Sequence, residues 1–139
     1  MPAKRYYRGA DIPMRVIRQY ARAIADRFRP EKIILFGSRA YGTPHADSDV
    51  DLLVVMPARN ELDQAVKIRL ALEAPFPLDL LVRKPSEMKW QLEERESFTT
   101  EIVSRGKVLS EAGDSRLGPK GRRGPRPGRA NGPRPTAVS

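Results

Sequence analysis

The sequence predicts an α/β sandwich with a mixed β-sheet, on three observations. Apolar runs of helical period alternate with short continuous apolar runs. Glycine or proline closes most of the short runs, as turns after buried strands require. The whole alternation fits into residues 11–113 of a 139-residue chain, within the size of one domain.

Each element has its own signal. Asp11 is a candidate N-cap with Pro13 in the first turn, where a missing N–H costs little. Val16, Ile17, Tyr20, Ile24 and Phe28 then recur at helical spacing until Pro30 stops the run. Ile33 to Phe36 reads as a buried strand ending at Gly37, and Val50 to Val55 as a second strand closed by Pro57. Asn60 is placed to cap a helix with Leu62, Val66 and Leu70 as its apolar face and Asp63 in its first turn. Leu78 to Val82 is a third strand. Ser86 opens a helical stretch that reaches Arg105 with a break near Ser97; Gly106 is its C-cap and Lys107 to Leu109 an edge strand.

Composition limits the chemistry. There is no cysteine and only one histidine, His45, so disulfides, thiolate sites and multi-imidazole zinc sites are excluded. A metal here must be held mainly by carboxylates, which suits a hard cation such as Mg²⁺ or Mn²⁺. The N-terminal residues carry no signal-peptide core, and no apolar stretch is long enough to span a bilayer. A soluble, cytoplasmic protein without membrane partners is expected.

The formal net charge is +9, but it is unevenly placed. Residues 114–139 hold seven basic groups against one acid, with five prolines and five glycines interleaved. Such a tail has nothing to bury and is expected to be disordered, and residues 1–10 form an N-terminal extension expected to be frayed. GC-rich codons alone account for Gly, Pro, Arg and Ala in the tail, so a solvated extension is its plainest reading. At most it makes weak electrostatic contact with nucleic acid.

The chemistry lies in the segment from Phe36 to Val55. Residues two apart on a strand share a face, so Asp49 and Asp51 project together while Val50 turns into the core. Two such carboxylates repel, and a divalent cation between them reverses the interaction. Taken alone, Asp-x-Asp also suits an ordinary polar strand start. Asp79 adds to it, because it interrupts the apolar run Leu78 to Val82, where a carboxylate needs a partner. Either it joins Asp49 and Asp51 from a neighbouring strand, forming a metal-binding set for phosphoryl transfer, or it is an exposed acid paired with Arg83 or Lys84. Gly37 and Ser38 supply a tight turn out of a strand, where backbone N–H groups and a hydroxyl can hold phosphate oxygens. Arg39 is a further candidate phosphate contact. His45 reads as a surface residue, and Trp90 and Phe98 as core or interface anchors.

Gly-Ser, ten residues, Asp-x-Asp resembles the signature of the polymerase-β-like nucleotidyltransferase superfamily. The text LFGSRAYGTPHADSDVDLLVV is similar to its minimal nucleotidyltransferases, which are encoded beside HEPN-domain partners. The resemblance runs from about Asp11 to Glu111. It implies Gly37 and Ser38 as triphosphate-binding residues, Asp49 and Asp51 as Mg²⁺ ligands, and Asp79 as the third carboxylate, with ATP as co-substrate. Arg often follows Gly-Ser-Arg-Ala in that family, whereas here Tyr41 stands there, removing one phosphate contact. With no further domain to grip an acceptor in this length, the acceptor is expected on another protein. The resemblance implies a HEPN toxin, modified on a tyrosine with AMP, and an antitoxin role for this chain. A binding-only antitoxin and an enzyme acting on a small-molecule hydroxyl are the rival readings.

Overall fold

A computed structural model describes residues 5–42, 44 and 49–112; His45 and residues 113–139 lie outside the described part. Helix α1 (Met14–Phe28) is followed by β1 (Lys32–Phe36), a single turn α2 (Ser38–Tyr41) and β2 (Val50–Val55). Then come α3 (Glu61–Ala71), β3 (Leu78–Arg83), α4 (Pro85–Glu93), α5 (Ser97–Arg105) and β4 (Lys107–Glu111). The four strands form one mixed sheet in the order β3-β2-β1-β4, with β1 antiparallel to β2 and β4 and β2 parallel to β3. The predicted α/β sandwich with a mixed sheet is the fold observed.

The sheet is covered on both faces, and each face has its own core. Val50, Leu52 and Val54 of β2 point toward α1 and α3, packing with Ile17, Ile24 and Ile68. Leu53 and Val55 point the other way, with Ile34 and Phe36 of β1 and Met88 and Ile102 of α4 and α5. Burial on both faces explains why β1 and β2 read as continuous apolar runs rather than alternating ones. The Tyr20 hydroxyl donates to the Leu72 carbonyl at 2.6 Å and ties α1 to the end of α3. Burial pushes that phenol up to about 12, with the Arg69 charge acting against the shift.

Several boundaries differ from expectation for local reasons. Helix α1 starts at Met14 with Pro13 in the cap position and no side-chain cap, so Asp11 belongs to a separate 3-10 turn at Gly9–Asp11. Arg29, left-handed at φ 54°, closes the helix by donating its N–H to Ala25. In α3 the Asn60 cap is present, its side chain accepting from the Asp63 N–H at 3.0 Å. The buried residues of that helix, however, are Ala65 and Ile68. Leu62, Val66 and Leu70 face solvent. The late helical stretch breaks at Arg95, whose φ is 57°, and Glu96 restarts it by accepting from the Phe98 and Thr99 N–H groups. Pro85 rather than Ser86 opens α4, as first-turn prolines do. At Tyr7 the chain is docked rather than frayed: its N–H donates to the Pro75 carbonyl at 2.8 Å, and its side chain packs against the larger core.

Candidate active site

Three strand ends converge at one edge of the sheet. β1 leaves the sheet at Phe36, while β2 and β3 enter it at Val50 and Leu78. In the register Asp51 stands beside Phe36 on one side and beside Asp79 on the other. Alternation puts Asp51 and Asp79 on the face carrying α4 and α5, whereas Val50 and Leu78 turn toward α1 and α3. Asp49, just before β2, is exposed, and Asp51 is half-buried. Asp79 is also exposed, so the apolar run around it does not enclose its carboxylate. β3 is the outer strand of the sheet, so its second residue has no neighbour beyond it. Arg83 and Lys84 meet Glu61 instead: the Arg83 guanidinium lies 3.9 Å from its carboxylate, and the Lys84 N–H donates to it at 2.9 Å.

The three acids share one electrostatic field. The Asp51 carboxyl is pushed up to about 6, first by burial and then by the charges of Asp79 and Asp49, with Arg39 opposing. Among the described residues no three His, Cys, Asp or Glu side chains are gathered closely enough to hold an ion as they stand. The donor chemistry nonetheless fits a hard divalent cation. It offers three carboxylates, two of them register partners on parallel strands, and one is held at an energetic cost that a cation would offset.

Gly37 closes the site from the β1 side. Its φ of 78° and ψ of −166° belong to a region that is almost exclusively glycine's. A Cβ there would stand 2.1 Å from Asp51 Oδ2. The N–H groups of Ala40 and Tyr41 both donate to the Gly37 carbonyl, so the turn that carries Ser38 is fixed against the strand end. Arg39 reaches back over the same corner. Its Nε donates to the Asp49 carbonyl at 3.3 Å and its terminal nitrogen to the Gly9 carbonyl. Burial pulls its pKa down while Asp51 and Asp49 pull it up. Arg39 thus pins the backbone of a carboxylate residue as well as placing a charge near the acids.

Sequence reasoning passed over one residue. Arg105, the last residue of α5, lays its guanidinium 4.1 Å from the centre of the Tyr41 ring, and Glu101 holds it from behind at 3.1 Å. Gly106 lets that helix end approach β1 closely, since a Cβ there would meet the Leu35 carbonyl at 2.9 Å. The corner that carries Tyr41 in place of an arginine therefore receives a guanidinium from another element. Only the pairing of Lys107 with Leu35 reveals this, and pairing across the sheet is not written locally in the chain. Phe98 lies edge-on to Phe36 beside the site, and both Phe98 and Trp90 are largely exposed.

A cavity of about 430 Å³, lined among others by Tyr20, Arg69 and Phe76, belongs to the opposite face. The carboxylates themselves sit on an open strand-end ledge, and the convergence of charged groups there marks the chemistry better than cavity size does.

The family model described as "Nucleotidyltransferase domain" matches residues 17–104, more than half of the chain and the whole of this ledge. The chain belongs to the nucleotidyltransferase domain family. Its sheet order and covering helices fit the polymerase-β-like fold of such nucleotidyltransferases. Among solved structures it is similar to a protein from Sulfolobus solfataricus described as a "putative nucleotidyltransferase", with 16% identity and a TM-score of 0.45. That match covers 68% of this chain and 76% of the other. A comparison with curated proteins gives no significant match. Membership points to nucleotidyl transfer as the chemistry of the chain, and domains of this family generally use a divalent metal such as Mg²⁺. No helix among the described residues is long and apolar enough to cross a membrane.

Proposed function

We propose that this nucleotidyltransferase transfers AMP from ATP to a hydroxyl group of a protein partner, with Asp49, Asp51 and Asp79 holding Mg²⁺. The observation that carries the reading is the pairing of Asp51 with Asp79 across parallel strands, directly beside the side-chain-free Gly37. When bound, the cation would neutralise phosphate charge and acidify the acceptor hydroxyl. The chain's own groups do the rest. Gly37 lets the Asp51 carboxylate stand against the turn, and the turn offers its backbone and the Ser38 hydroxyl to phosphate oxygens. Arg39, whose charge acts on Asp51 and Asp49, and Arg105, held over the Tyr41 ring of the same turn, add positive charge for a triphosphate. Asp79, the exposed acid, is placed to take the acceptor's proton as its oxygen bonds to the α-phosphorus and the bond to the β-phosphate breaks.

A protein acceptor is supported by the openness of the ledge and by exposed Trp90, Phe98 and Val103 on the helices of the same face. Its identity as a HEPN-domain toxin, its modification on tyrosine, the antitoxin role and the choice of ATP rest on the resemblance of residues 35–55. A tyrosine hydroxyl titrates near pH 10, so it needs the assistance that such a site supplies.

Co-expression decides the matter. The partner should gain whole AMP units in its intact mass with the wild type and none with the Asp49→Asn, Asp51→Asn double variant. A double variant that protects cells equally well, with no adduct on the partner in either case, would make the protein a binding-only antitoxin.

A further inference from the structure

Helix α3 carries two apolar faces where a sheet-covering helix needs one. Ala65 and Ile68 are buried against β3, yet Leu62, Val66 and Leu70 are 78%, 53% and 82% exposed. These three are four residues apart, so they form one row along the outer side of the helix. Single exposed aliphatic residues are ordinary, but a continuous row marks a contact surface. A shallow hollow of about 280 Å³ lined by Arg59, Asn60 and Lys84 borders the Leu62 end. The cavity lined by Tyr6 and Arg69 borders the Leu70 end.

We propose that α3 is the contact helix of a symmetric homodimer, lying antiparallel to α3 of a second copy with Val66 at the two-fold axis. The sequence of the helix is complementary to itself in that arrangement. Centring on Val66 sets Leu62 against the second copy's Leu70, and the reverse, so that a single patch serves both subunits, as two-fold symmetry demands. Asp63 and Lys67 flank the row on the same side, so each Asp63 faces the other copy's Lys67. At the ends, Arg59 comes level with the second copy's Glu73. The Asp63 end of each helix thus meets the Lys67 side of its mate, and the two helix dipoles run in opposition. A helix from an unrelated protein would need none of this internal symmetry. Because α3 covers the face opposite the carboxylates, both ledges stay open in the dimer.

The chain has no cysteine, so Val66→Cys introduces a single thiol. On the axis that thiol meets its own counterpart, and mild oxidation should yield a covalent species of twice the 15.6 kDa chain mass. Ser104→Cys, exposed on α5 over the other face, is the control and should cross-link far more slowly. In sedimentation the wild type should be a dimer. Val66→Glu should weaken association by about a hundredfold or more, because two carboxylates would meet at the axis. Asp63→Lys should weaken it less, and adding Lys67→Asp should restore it. Circular dichroism melts establish that the variants remain folded. A monomeric wild type at high concentration, a dimer indifferent to Val66→Glu, or equal cross-linking of the two cysteine variants would each overturn the proposal.

Discussion

A Cβ on Gly37 would stand 2.1 Å from Oδ2 of Asp51, far inside any permitted contact. The glycine therefore meets two demands at once, a backbone conformation with φ of 78° and room for a carboxylate. Gly37→Ala should lose about 1–3 kcal/mol for the backbone alone, with the clash added to it. In an Asp51→Ala background only the backbone part should remain. Urea denaturation of the four proteins measures the difference. An equal cost in both backgrounds would mean that the close approach is not what the glycine serves.

Asp51 should make stability depend on pH in the direction opposite to an ordinary salt-bridged acid. Its pKa is raised to about 6, first by burial and then by Asp79 and Asp49, so the folded state holds a proton that the unfolded chain has released. That contribution is complete below the unfolded value of 3.8 and is lost as pH rises through about 6. With a chelator present, Asp51→Asn should therefore melt higher than wild type at neutral pH, and the two should converge on acidification. Mg²⁺ with ATP should raise the melting temperature of the wild type and not of the variant. A variant less stable than wild type at neutral pH would make Asp51 a structural residue and remove it from the metal site.

The parts of this molecule legible in the sequence are those in which a local pattern has one physical outcome. Continuous apolar runs at Ile33–Phe36 and Leu52–Val55 are buried on both faces because they hold no polar side chain to present to solvent. The Asn60 cap and the Gly37 turn are fixed by one or two residues each. Helix α3 departs from its local pattern, since Leu62, Val66 and Leu70 have the right period for an inward face yet are exposed. The inward residues are instead the smaller Ala65 and the single Ile68, which fit close to β3. The exposure of Asp79 depends on β3 being outermost, and the position of Arg105 on β4 pairing with β1. Strand order is a property of the whole sheet, and no run of residues states it.

Arg105 and Tyr41 offer a kinetic test of the triphosphate site. The ring-to-guanidinium distance of 4.1 Å is a cation–π contact at a partly exposed position, worth about 0.5–1 kcal/mol. Tyr41→Phe keeps the ring and should leave the KM for ATP unchanged. Tyr41→Leu frees the guanidinium and should raise KM by roughly twofold to fivefold. Arg105→Gln should raise it further, with a smaller effect on kcat. An unchanged KM in Arg105→Gln would exclude the guanidinium from the triphosphate.

Asp79 separates binding from chemistry. It is the exposed member of the set, on the outer strand, while Asp51 is half-buried between it and Phe36. An exposed position means that Asp79→Asn should leave the melting temperature of the free protein nearly unchanged, within about 0.5 kcal/mol. If its task is the acceptor hydroxyl rather than the triphosphate, the stabilisation by Mg²⁺ and ATP should largely persist in the variant. The rate should not. Losing an acid that assists the acceptor and neutralises charge should remove about 4 kcal/mol from the transition state, a fall of roughly a thousandfold. Asp49→Asn and Asp51→Asn should lose both the thermal shift and the rate. A thermal shift read alongside single-turnover transfer separates Asp79 from Asp49 and Asp51. If Asp79→Asn loses the shift as completely as the others, Asp79 belongs to the triphosphate's cation; if its rate is unaffected, it is no part of the catalytic set.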